Sequence, residues 1–183
     1  MERAQAFVEL TGRLTNKNLI KHSLAVEAIM RDLAAYFKEN EDKWGLAGLL
    51  HDIDYDKTAS DPAKHSIIGA DILETLGIND EIVYAVKAHN DYHGIERKRK
   101  IDKALFCADP VSGLITAAAL ILPSKKLEEV TVEFIMKRFN EKGFARGANR
   151  EHIAKCDELG LSLEEFLEIS LRAMKRISDD LGL

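Results

Sequence analysis

The sequence predicts an all-α fold. Apolar residues recur at helical spacing along most of the chain, and period-two alternation is almost absent. Capping and stop signals bracket these periodic runs. No glycine- or serine-rich linker, low-complexity tract or internal repeat divides them, so the 183 residues are expected to form one domain.

The elements follow in order. Residues from about 3 to 13 read as a short leading helix. Asn16 can cap the next, which runs to about Phe37. In it His22, Val26, Ile29 and Leu33 share a face, so His22 points to the core. A third helix, over about 42–52, passes through small and apolar residues from Trp44 to Leu50 and ends in His51 and Asp52. Asp54 to Asp61 is polar and reads as a loop. Asp61 and Pro62 supply a capping carboxylate and a proline at the first helical position. The helix they predict carries His65 early and stops at Gly77. Asn79 can cap a helix whose Ile82, Val83, Val86 and His89 lie on one face. After a basic loop from Glu96 to Lys100, a helix from about Asp102 carries Leu105, Phe106 and Asp109. Pro110 is expected to kink or interrupt it before it resumes to Pro123. Shorter helices are predicted around 124–130, 131–141 and 150–159, with a loop from Lys142 to Arg150 between the last two. Ser162 to Glu165 is a capping box for a final amphipathic helix through Phe166 to Leu181.

Composition narrows the function classes. Apolar residues make up 46% and charged residues 31%, as in soluble globular proteins. A net charge of −5 gives no global electrostatic case for a nucleic-acid polymer or an anionic membrane. Cys107 and Cys156 form no CxxC and read as free thiols of a reducing cytosol; Cys107 is expected to be an inert core thiol. The first residues lack signal-peptide character, and the longest apolar run, Leu114 to Leu122, is too short to span a bilayer. A cytoplasmic protein is therefore expected.

Six polar residues stand out. His22, His51, His65 and His89 fall on core-facing or helix-terminal positions, while Asp52 and Asp109 sit in apolar surroundings. A buried carboxylate without compensation is costly, and a bound cation compensates it. Neutral imidazoles with carboxylates form the ligand set of Fe, Mn, Co, Ni or Zn. Four histidines and two aspartates exceed what one metal needs and suffice for two if a carboxylate bridges. His93 and His152 lie in polar stretches and read as solvated surface histidines.

The order His22, His51-Asp52, His65, His89, Asp109 resembles the HD superfamily of metal-dependent phosphohydrolases. The string His51-Asp52-Ile53-Asp54 is similar to the HDIG variant, with Asp54 in place of the glycine. The resemblance covers about residues 18–122, with C-terminal helices over about 124–183. It implies a helical bundle of the HD-domain type that hydrolyses a small phosphate ester, a nucleotide among the candidates, through a metal-activated hydroxide. It also implies two divalent transition-metal ions: Asp52 bridges them, His22, His51 and Asp109 complete one site, and His65 and His89 the other. His65 and His89 resemble the extension of the two-metal branch.

Candidates for the remaining roles are less specific. Asp54 or Asp56 could orient water or protonate the leaving group, against the simpler reading of exposed loop carboxylates. Lys57 follows the motif as lysines facing substrate do in similar proteins. Arg146 and Arg150 could fork onto phosphate, or could equally be surface charges or pair with a helix end. The run from Arg97 to Lys100 reads as a solvated loop, without the aromatic interleaving of a single-strand binder. Two other function classes share the ligand set: a di-iron oxygenase and a non-catalytic module that binds a nucleotide or partner.

Overall fold

The structure is a computed structural model that describes residues 1–141 and 143–183, with no strand among them. Lys142, the first residue of the expected arginine-bearing loop, lies outside the described residues. Helix α1 (Arg3–Thr11) leads into α2 (Lys17–Phe37), which opens at Asn16, whose side chain accepts from the Asn18 N–H at 2.9 Å. Asn40 caps α3 (Glu41–Leu50) by accepting from the Lys43 N–H.

Helices α2 and α3 form a tight antiparallel pair, and Gly48 sets how tight. A Cβ on Gly48 would stand 2.7 Å from the Val26 carbonyl oxygen and 2.9 Å from Glu27 Cα. No side chain fits there, so the two backbones touch. One turn beyond this contact lie His51 on one helix and His22 on the other.

The next segment departs from expectation. Asp54 to Asp61 contains a helical turn, α4 (Tyr55–Thr58), tied down by Asp56, which accepts from the Thr15 N–H and hydroxyl at 2.6 and 2.7 Å. Asp61 and Pro62 do not open a helix. Residues 62–66 form turns, Ser66 is left-handed at φ 70°, and α5 (Ile67–Thr75) starts only afterwards. The reason is tertiary. The Asp54 carboxylate, from the preceding loop, accepts from the Ser66 and Gly69 N–H groups at 2.9 Å each. It caps α5 in place of Asp61, which pairs with Lys64. Asn79 caps α6 (Asp80–His89) as expected.

Helix α7 (Lys100–Leu120) runs unbroken through Pro110 and packs against α2, α3 and α6. By length and composition it could cross a membrane, at mean hydropathy 1.3, but 67% of its most apolar window is buried inside the protein. Its apolar character is that of a core helix. The chain then passes a short 3-10 turn (Leu127–Glu129) where a helix over 124–130 was expected, and continues through α8 (Val132–Phe139) and α9 (Arg150–Ala154). The Ser162 capping box opens α10 (Leu163–Lys175), and the helix expected to reach Leu181 breaks at Ile177 before α11 (Ser178–Leu181).

Gly48→Ala forces backbone apart and is expected to destabilise the protein by about 1–3 kcal/mol. Gly113→Ala, on an open face of α7 with no atom within 4 Å of the added Cβ, should be neutral or stabilising. Urea unfolding midpoints compare the two; equal effects would remove the close approach as the determinant of α2–α3 packing.

Candidate metal centre

Five segments deliver six side chains to one point. His22 comes from the second turn of α2, His51 and Asp52 from the end of α3, His65 from the turn before α5, His89 from the end of α6 and Asp109 from α7. His22 Nε2 lies 3.1 Å from His51 Nε2 and 3.2 Å from Asp109 Oδ1. The two Asp52 oxygens face different histidines. Oδ2 is 3.5 Å from His51 Nε2 and 3.7 Å from His22 Nε2, while Oδ1 is 3.4 Å from His65 Nε2 and 3.6 Å from His89 Nε2.

The other ring nitrogen of each histidine is already committed. His51 Nδ1 lies 2.8 Å from the Gly48 carbonyl and His89 Nδ1 2.6 Å from the Val86 carbonyl, each three residues back. Both histidines end a helix, where such carbonyls lack intrahelical partners. His65 Nδ1 lies 3.1 Å from Asp54 Oδ1. His22 Nδ1 lies 2.9 Å from the Ser112 hydroxyl, which itself donates to the Asp109 carbonyl at 2.8 Å. Carbonyls and carboxylates only accept, and the Ser112 proton is in use, so all four Nδ1 atoms carry the hydrogen. The four Nε2 atoms then present bare lone pairs to one another and to two carboxylates.

Such an arrangement lacks protons to hold it together and suits a cation. Ligand atoms about 2.1 Å from a common ion stand roughly 3–3.5 Å apart, and the separations here run from 3.1 to 3.9 Å. The C-terminal ends of α3 and α6, negative by their dipoles, both meet here. Two groupings bring their donor atoms within 4.8 Å of one another: His22, His51 and Asp109, and His51, Asp52 and His89. The donor set therefore fits a divalent metal.

Electrostatics agree. Burial pushes His51 down to about 4, so its imidazole is neutral near pH 7. Burial alone would raise the Asp52 and Asp109 carboxyls, yet the surrounding imidazoles hold both below the usual range. Burial likewise opposes charge on His22 and His89, but their facing carboxylates outweigh it and raise both. The His51 and His89 side chains are 0% and 2% exposed, against 23% for His22 and 36% for Asp109. The cluster is closed on one side and reaches solvent at His22 and Asp109.

Other sequence candidates are placed differently. Asp54 is not an exposed loop carboxylate. It is 1% exposed, with Oδ1 on His65 and Oδ2 on the Ser66 and Gly69 N–H groups. Its work is to orient His65 and cap α5. Gly69 is glycine because a Cβ there would press on this carboxylate at 3.3 Å. Arg150 is engaged internally. Its guanidinium donates to the carbonyls of Arg138 and Phe139 at the end of α8 and of Phe144, Ala145 and Ala148 in the loop, which uses all its donors. Lys57 and Arg146 are exposed, with no hydrogen bond or ion pair to the six residues. His93 is not a freely solvated histidine: its Nε2–H donates to the His65 carbonyl at 2.9 Å. His152 is partly buried against the Phe106 ring at 4.3 Å. Cys107 is fully buried, and burial pushes its thiol above the usual range. Ser112 was missed in the sequence; its position three residues past Asp109, on the same face of α7, was the available signal.

Ser112→Ala frees His22 to take the other tautomer, and Asp54→Ala releases His65. Each should weaken metal binding about 10–100-fold in a chelator competition, with helical content retained. Unchanged affinity in both would sever the link between these hydrogen bonds and the cluster. Arg150→Ala should lower the unfolding midpoint and leave metal content alone.

Residues 19–133 match the family described as HD domain. Curated relatives named Ribonuclease Y are similar. That of Desulforudis audaxviator is 30% identical over 170 residues, 84% of this chain and 32% of the relative. That of Fervidobacterium nodosum is 33% identical over 156 residues, 79% and 29% respectively. That of a Sulfurovum species is 29% identical over 184 residues, 96% and 36%. The chain spans about a third of the length of these relatives. No solved structure matches it.

Proposed function

Since this chain belongs to the HD domain family, we propose that it is a metal-dependent phosphohydrolase acting on a phosphate ester, a nucleotide first among them. One observation carries the reading: four proton-free imidazole nitrogens divide two and two between the oxygens of Asp52. In this reading Asp52 would serve both of two metal ions, with His22, His51 and Asp109 holding one and His65 and His89 the other. Bound there, the ions lower the pKa of water and neutralise charge on phosphoryl oxygens.

The chain's own groups do the rest. Ser112 and Asp54 hold His22 and His65 in the tautomer that leaves Nε2 bare. The buried rings of His51 and His89 keep water from the inner side. His22 and Asp109 form the edge where substrate arrives. Lys57, on exposed α4, is a phosphate contact from the solvent side. The name of the similar Ribonuclease Y proteins supports a second substrate reading, a phosphodiester of RNA. A di-iron oxygenase would use the same donors and would be marked by iron content and dioxygen consumption.

Metal analysis of protein purified without chelator is expected to find about two transition-metal ions per chain. With the metal found, a panel of phosphate monoesters and diesters should release phosphate or nucleotide. Asp52→Ala is expected to lose most of the metal and to fall to background turnover, while His152→Ala stays near wild type. Protein that neither carries metal nor accepts it on reconstitution would overturn the reading, as would normal turnover by Asp52→Ala.

A further inference from the structure

The two halves of the cluster are built differently. His22, His51, Asp52 and Asp109 ride on α2, α7 and the end of α3, helices packed directly against one another. His65 does not ride on a helix. It lies in the turn of residues 62–66, between α4 and α5, and meets the His89 ring edge-on with centroids 5.1 Å apart. Ser66 follows it in the left-handed region, at φ 70°, a conformation that favours glycine. A turn strained in this way persists only where its surroundings impose it.

Those surroundings come from the end of α6. The helix stops at His89, and Asn90 leaves it extended, at φ −82° and ψ 111°. The Asn90 Nδ2 donates to the Pro62 carbonyl at 2.9 Å and to the His65 carbonyl at 3.0 Å. Two carbonyl acceptors fix which way the amide faces. Its Oδ1 then accepts from the Tyr92 N–H at 3.1 Å and opens the 3-10 turn Asp91–His93. That turn brings back His93, whose Nε2–H donates to the same His65 carbonyl at 2.9 Å. The Ser66 hydroxyl adds a bond to the Lys87 carbonyl at 3.2 Å.

Asn90 therefore stands one residue from His89 in the chain and one hydrogen bond from His65. The residue type matters. Aspartate lacks the donors, and serine has one where two carbonyls take two. The division of labour with Asp54 is clear. Asp54 sets which way the His65 ring faces, and Asn90 sets where its backbone stands. A loosened turn would take His65 Nε2 away from Asp52 Oδ1, which it now meets at 3.4 Å.

We propose that Asn90 is a positioning residue for the His65–His89 half of the cluster, so that one metal position depends on it while the other, at His22, His51 and Asp109, does not. The proposal rests on the two-metal reading.

The experiment strips the full chain of metal and titrates it with manganese by calorimetry, following each binding step. The unaltered chain should show two steps, and His65→Ala should abolish one and so identify it. Asn90→Ala should weaken that same step at least about tenfold and leave the other within about twofold. Asn90→Ser, which keeps one donor and an acceptor for the Tyr92 N–H, should fall between the two and serves where Asn90→Ala folds poorly. Asn79→Ala removes the cap at the opposite end of α6. It should lower the unfolding midpoint and leave both steps alone, which separates positioning from general loss of stability. Adding Asn90→Ala to His65→Ala should not alter the remaining step. Two steps weakened alike, or neither weakened, overturn the proposal and leave the two-metal reading standing. A single step in the unaltered chain overturns both.

Discussion

Four imidazole nitrogens without protons face two carboxylates in a space a few ångströms across, and the rest of the structure is arranged to keep them so. Each lone pair repels its neighbours, and each carboxylate is costly to bury. A cation at the centre converts these separate costs into one coordination sphere. The facing carboxylates outweigh burial and raise both His22 and His89, which reports the same pull of the cluster toward positive charge. This constraint explains why a carboxylate occurs at Asp109 among apolar residues of α7. It also explains why the negative ends of α3 and α6 both finish here.

The scaffold serves that convergence through a few backbone contacts. Gly48 lets α2 and α3 touch, and the antiparallel register they adopt places His22 opposite His51 at 3.1 Å. The last turns of α3 and α6 fix two tautomers through their own orphan carbonyls. Asp54 joins fold and site in one side chain, since the carboxylate that caps α5 also holds His65. Changes at these positions act on metal affinity and stability together.

The site is asymmetric. His51 and His89 seal its inner side, while His22 and Asp109 reach solvent, His22 beside a pocket between α2 and α7. The chain corresponds to about a third of the length of its Ribonuclease Y relatives.

The sequence by itself determined the helical class, most caps and all six converging residues. Those features are local or periodic: a capping asparagine or a histidine on an apolar helical face announces itself within one turn. It was misleading where a distant group outcompetes a local one. Asp61 and Pro62 carry a good helix start, yet the helix opens only after Ser66, where Asp54 accepts from the Ser66 and Gly69 N–H groups. Arg146 and Arg150 look alike in one loop, but only folding shows that five carbonyls surround Arg150. Ser112 gains meaning only beside His22, since hydrogen-bond partnership depends on the packing of segments far apart in the chain. The adjacent pair His51 and Asp52 marked the centre; the tertiary structure decided which way each nitrogen and oxygen faces, because the donors that fix them lie on other helices and turns.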